Sequence, residues 1–166
     1  PYVLCFRMLN WAAGLDKALV GHWKLNETSG TTAADSSGLS TSGTVTGTAS
    51  WTAAIRNNGF NFDGATKIQV SGLFSNPRNI SVAAWAKLTT ADTNGSEIIS
   101  LGDHFTLRLD EAGAVKGIMY DGSTWQAVSV AGTYAGTGWH HFAAVFDDDN
   151  NTFKLYIDGA LAATAS

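Results

Sequence analysis

The sequence predicts an all-β fold, a two-sheet antiparallel β-sandwich of the jelly-roll kind, organised as one domain over residues 1–166. Three observations carry that expectation. Apolar residues recur with a period of two, the spacing that puts alternate side chains on one face of a strand. Helical periodicity is nearly absent. Asx-Gly dipeptides at Asn58–Gly59, Asp63–Gly64, Asn94–Gly95, Asp121–Gly122 and Asp158–Gly159 punctuate the apolar runs, and such pairs supply the positive φ that tight hairpins require.

Along the chain, Trp11–Leu19 is the one stretch compatible with a short helix, and Gly14 weakens it. In Gly21–Asn26, Trp23 and Leu25 alternate with His22 and Lys24. Thr28–Thr48 is small and polar and reads as a loop of about twenty residues; loops that long accompany function or a clamp. Phe60 alternates with Phe62, and Ile68 with Val70. Ile80–Leu88 is the strongest strand, with Ile80, Val82, Ala84 and Leu88 on one face and Trp85 on the other. Phe105, Leu107 and Leu109 follow, then Trp139–Phe146 and Phe153–Ile157.

Composition narrows the function classes. Hydrophobic residues make up 45% and charged residues 14%, which suits a packed core. The net charge is −4 and the ten Lys and Arg form no run, so nucleic acid is not an expected partner. No segment approaches the roughly 20 apolar residues of a membrane-spanning helix, so membrane insertion is not expected. The single cysteine, Cys5, cannot form an intrachain disulfide. Residues 1–9 are apolar but lack an initiating Met, a basic start and a small-residue cleavage site, so they do not read as a signal peptide.

Six segments, in order, resemble the laminin-G-like jelly-roll domains of the concanavalin A-like lectin/glucanase family. They are LVGHWKLNETSGTTAADSSG (19–38), FNFDGATKIQV (60–70), ISVAAWAKL (80–88), EIISLGD (97–103), GWHHFAAVFD (138–147) and FKLYIDGALAAT (153–164). The resemblance spans residues 19–164. It implies a concanavalin-like sandwich of two antiparallel sheets, a bound calcium ion in many members, and carbohydrate or surface recognition outside a bacterial cell. Domains of this kind continue past the LYIDG strand with a closing strand; here residues 2–16 loosely resemble that segment. The amino terminus is therefore expected either to supply the closing strand or to be a tail.

Catalysis is disfavoured. Glycosidases need two carboxylates facing one cleft, which on a strand means acidic residues at i and i+2 or i+4. The three Glu, Glu27, Glu97 and Glu111, have no such partners, and Asp110–Glu111 are adjacent. There is no G-x-S-x-G elbow and no zinc-ligand spacing. Cys5 in an apolar strand is more often inert than nucleophilic, and His140–His141 read as packing or edge residues. Asp147, Asp149 and Asn151 imitate the start of an EF-hand loop, but Thr152 stands where Gly is needed and Asp158 where Glu is needed, so a polar hairpin turn is the better reading.

For calcium, which takes six to eight oxygen ligands, the candidates are Asp35, Gly38 through its carbonyl, Asp63 and Glu27. The resemblance places the loop carrying Asp35 near the ion. The alternative is that Asp35 makes an Asx turn and Asp63 a hairpin corner. For sugar, exposed aromatic faces beside polar groups are the useful feature. Trp23, Trp85 and Trp139 read as core. Trp125 follows the Asp121-Gly-Ser-Thr turn with Tyr120 and Gln126 near it, and Trp51 ends the polar loop; Trp125 either binds or covers a sheet edge. The expected function is a non-catalytic module for glycan or surface-protein recognition, with calcium as a stabiliser. A structural spacer is the first alternative and a jelly-roll glycosidase the last.

Overall fold

The computed structural model describes residues 2–5, 19–73, 78–91 and 94–166. The chain divides into two compact units, Pro1–Asn76 and Pro77–Ser166. All regular structure among the described residues is β.

The first unit carries β1 (Tyr2–Cys5), β2 (Thr32–Ala33), β3 (Gly43–Thr46), β4 (Trp51–Ala53), β5 (Asn58–Phe62) and β6 (Lys67–Gln69). β5 pairs antiparallel with β1, Tyr2 opposite Phe62 and Leu4 opposite Phe60, and on its other side with β4. β3 pairs with β2 and β6, Val45 opposite Ile68. Phe60 is fully buried, with Phe62 at 4.7 Å from its ring centroid.

Several expectations change here. Gly21–Asn26 forms no strand, only a single bridge between Trp23 and Asp35. Leu25 takes φ 54°, a left-handed turn that ends an extended run at a cost of roughly 1–2 kcal/mol. The turn carries its side chain inward to 1% exposure, and burying a leucine returns about 1.5–3 kcal/mol, so burial wins. Thr28–Thr48 is not one loop: β2 and β3 lie within it, because Ala33 and Val45 bury their side chains while their neighbours face out. Residues 2–5 form a strand whose partner is β5. Residues 6–18, with nearly all of the expected helix over 11–19, lie outside the described residues.

The second unit carries β7 (Asn79–Leu88), β8 (Ser96–Leu101), β9 (Phe105–Leu109), β10 (Val115–Tyr120), β11 (Trp125–Val130), β12 (His140–Asp147), β13 (Thr152–Ile157) and β14 (Ala160–Ala165). Antiparallel pairing links β14, β13, β12 and β7 in one sheet, and β11, β10, β9 and β8 in another. These two sheets stack face to face. The Phe105 ring of one lies 5.8 Å from the Phe153 ring of the other. Strict alternation supplies the core: Leu107, Leu109 and Val115 from one sheet, Phe142, Ala144 and Leu155 from the other, are buried.

Trp23, Trp85 and Trp139, expected in the core, are each half-buried. On β7 the core-facing positions go to Ala84, Ala86 and Leu88, so Trp85 stands on the other face, against the His141 ring at 5.4 Å. Trp139 lies under the Lys87 ammonium at 5.7 Å. Trp23 donates its indole N–H to the Thr41 carbonyl at 2.8 Å, an acceptor available at a rim and scarce in an apolar interior. The Asx-Gly reading also narrows. Asn58–Gly59 lies inside β5, the β4–β5 turn being made instead at 54–57 with Asn57 at φ 54°. Asp158–Gly159, with φ of 52° and 84°, forms the turn between β13 and β14, and Asp121–Gly122 begins the β10–β11 turn.

Candidate functional site

The β10–β11 hairpin is built around one carboxylate. Asp121 Oδ1 accepts the Ser123 and Thr124 amides, both at 2.8 Å, and the Ser123 hydroxyl at 3.0 Å. Its Oδ2 accepts the Thr124 hydroxyl at 3.0 Å and the Gln126 side-chain amide at 2.9 Å. The Thr124 amide, then Gln126 and the Ser123 amide, hold this carboxyl well below the usual carboxylate range. An Asx turn stabilised by that many donors fixes the direction in which β11 leaves it.

Trp125 is the first residue of β11 and sits directly opposite Tyr120. It is 61% exposed. β11 pairs with β10 on one side, so its indole has the Tyr120 ring beside it at 5.2 Å, inclined by 46°. On the far side of Tyr120 lies the exposed His104 ring, at 5.9 Å and 55°. Three rings thus form a row across three adjacent chain segments at one end of the sheet. Gln126, next along β11, stands opposite the buried Met119 on the other face of the strand, its NH2 group donating to Asp121 and to the Thr124 hydroxyl. The structure therefore brings Trp125 and Tyr120 together and turns Gln126 to the opposite face of the hairpin. Reading the sequence missed His104, which reaches the row through pairing: the Tyr120 amide donates to the His104 carbonyl at 2.8 Å, one residue before β9 begins.

Trp51, the fourth aromatic candidate, belongs to the first unit and is committed within it. Its indole N–H donates to the Gly30 carbonyl at 2.9 Å, and its ring stands edge-on to Phe60 at 4.8 Å.

The calcium candidates are each tied to the chain. Asp35 Oδ1 accepts the His22 amide at 3.0 Å and the Ser37 amide at 2.8 Å. Its Oδ2 accepts the hydroxyls of Ser37 at 2.6 Å and Thr41 at 3.0 Å, and the Thr41 amide at 3.0 Å. Burial pushes this carboxyl up, and the Ser37, His22 and Thr41 donors outweigh it, leaving it well below the usual range. Asp63 Oδ1 caps the Ala65 and Thr66 amides at 3.0 and 2.8 Å. Glu27 Oε1 accepts the Ala34 amide at 2.8 Å, while its Oε2 is buried with no partner. Gly38 is exposed in the turn that follows Asp35. Among the described residues, no group of three His, Cys, Asp or Glu side chains is placed to share a metal ion. Asp35, Asp63 and Glu27 thus do not converge on one point, and as arranged they do not form a calcium cage.

At the opposite end of the hydrogen-bond scale from a metal site is the His140 cluster. His140 Nδ1 lies 2.7 Å from Asp158 Oδ2 and its Nε2 lies 3.0 Å from the Thr137 hydroxyl. Asp158 Oδ1 also accepts the His141 amide at 2.9 Å. These contacts join the start of β12 to the β13–β14 turn. The Asp147–Asn151 segment is the turn between β12 and β13; Asp147 caps the Asn150 amide at 3.1 Å, and Arg78 pairs with Asp148 at 2.7 Å and Asp149 at 3.2 Å.

A laminin-G-type model of the concanavalin A-like lectin/glucanases superfamily matches residues 61–166. The chain belongs to this superfamily. The matched laminin-G-like region contains the whole second unit, hence Trp125, Tyr120, Gln126 and His104, whereas Trp51, Asp35 and Glu27 precede it. No curated protein matches the chain, and no solved structure does. No helix among the described residues is long and apolar enough to cross a membrane.

Proposed function

We propose that the chain is a non-catalytic recognition module for carbohydrate, displayed outside the cell or on its surface, and that the β10–β11 hairpin makes the contact. The supporting observation is Trp125: a large aromatic residue at 61% exposure, on a turn that Asp121 holds in one geometry. Folding does not explain that exposure, since leaving a tryptophan in water forgoes the burial energy its area would provide. An apolar sugar face stacked on the indole recovers it. Superfamily membership supports recognition as the role in general and leaves the ligand open.

The test is a glycan array probed with the native chain and with Trp125→Ala, in parallel with and without EDTA. Binding by the native chain and at least a tenfold loss in the variant are expected, with no effect of EDTA. Silence of the native chain under both conditions would favour a structural spacer. Binding unaffected by the substitution would move the site elsewhere.

A further inference from the structure

Resting on that reading, we infer that the ligand is a single extended oligosaccharide chain laid across the strands, with His104 as the third contact after Trp125 and Tyr120. The direction of the row carries this. Trp125, Tyr120 and His104 succeed one another across β11, β10 and the residue before β9, with centroid separations of 5.2 and 5.9 Å. Neighbouring strands lie about 4.8 Å apart, so the rings repeat at roughly the length of one pyranose in an extended glycan. Consecutive sugars of one chain would meet consecutive rings. A monosaccharide would use Trp125 alone.

The inclination of the rings selects the form of the ligand. Neighbouring planes differ by 46° and 55°, larger than the twist of about 20–25° between adjacent strands. A flat crystalline polysaccharide surface can lie against only one of these rings at a time. A free chain can rotate about its glycosidic bonds and present each sugar face to its own ring. The row is also pre-formed: Asp121 fixes the hairpin, and the Tyr120 amide to His104 carbonyl bond at 2.8 Å ties the third segment to the second. Little ordering of the protein is then lost on binding.

The experiment is calorimetric titration with two ladders, β-1,4-linked glucose and β-1,4-linked N-acetylglucosamine, each from monomer to tetramer, using the native chain, His104→Ala and His104→Phe. In at least one ladder, affinity is expected to rise tenfold or more from monomer to trimer and to level off by the tetramer. His104→Ala should remove the gain of the last step, about fivefold or more. His104→Phe should restore it. Microcrystalline cellulose should retain none of the chain. A ladder that binds with the same affinity at every length, an unaltered His104→Ala profile, or retention on the crystalline surface would each overturn the inference and leave Trp125 as a sugar contact. Failure of the native chain to bind any member of either ladder would overturn the inference, while the reading on which it rests would fall only with silence across the glycan array.

Discussion

Gly117 of β10 faces the ring of Phe153 in β13 so closely that a Cβ at position 117 would stand 2.6 Å from Cζ and 3.1 Å from Cε2. The ring cannot move aside. It is 2% exposed, with Phe105 and Phe146 each at 5.8 Å, and the Leu155 Cδ2 closes the same spot at 3.3 Å. Here the two stacked sheets leave no room for a Cβ. Gly117→Ala is expected to destabilise the fold by about 1–3 kcal/mol, the usual cost of overpacking a filled core. Urea denaturation read by tryptophan fluorescence would measure it, and an unchanged midpoint would contradict the packing described.

Asp35 holds three backbone amides and two hydroxyls in the first unit. Removing it leaves those amides without their acceptor, and Asp35→Ala should cost about 1–3 kcal/mol. The pH dependence has a definite sign. Its folded pKa lies below the ordinary value of 3.8, so its stabilising effect is complete above that value and lost as pH falls through the folded pKa. The difference in melting temperature between the native chain and Asp35→Asn should be constant from pH 7 to about 5 and shrink below about 4. Added calcium should leave the native melting temperature unchanged; a rise would show that the folded chain binds the ion.

His141 titrates in the opposite range. Burial lowers its pKa below the ordinary 6.5, and the attraction of Asp158 only partly offsets this. The unfolded chain therefore binds the proton more readily. The contribution is complete above pH 6.5 and declines as pH falls through 6.5 towards the folded value. His141→Gln should flatten the loss of melting temperature between pH 7.5 and 5.5. An identical slope in native and variant chains would assign the effect to other groups.

Asp121 acts on the site through the turn. With Asp121→Ala, the Ser123 and Thr124 amides lose their acceptor, and amide hydrogen exchange at both should accelerate at least tenfold. The β10–β11 pairing at Gly117 and Val128, further along the ladder, should keep its protection. Glycan affinity should fall with Trp125 still present, because the ring would no longer be held in one direction. Unchanged exchange at Ser123 and Thr124 would show that the turn stands without the carboxylate.

Much of the second unit was legible in local pattern. Ile80–Leu88 and Phe105–Leu109 alternate strongly enough to name both the strand and its buried face, Trp139–Phe146 and Phe153–Ile157 strongly enough to name the strand, and β7, β9, β12 and β13 follow them. The first unit was harder. Leu25 is apolar and in phase with Trp23, yet it turns left-handed to reach the core, and nothing adjacent in sequence signals that. β2 and β3 are short strands of Thr, Ala, Gly and Val whose alternation is too brief to separate from a polar loop. Asp35 and Asp63 illustrate a further limit: a carboxylate that will cap amides and one that will hold a cation have the same sequence.

The candidate site divides along the same line. Trp125, Tyr120 and Gln126 are neighbours through one hairpin, and the Asp121-Gly-Ser-Thr turn between them announced that hairpin directly. His104 joins them through strand pairing across β9 and β10, and Trp51, equally suggestive in sequence, is instead hydrogen-bonded to Gly30 and packed on Phe60. Period-two alternation and Asx turns are interactions among residues close in the chain, so composition and spacing were enough to fix the all-β class and the Trp125 hairpin. Which aromatic rings face water, and which distant side chain completes the row, depends on burial and on pairing between segments far apart, where a change of one residue in register turns a side chain to the opposite face.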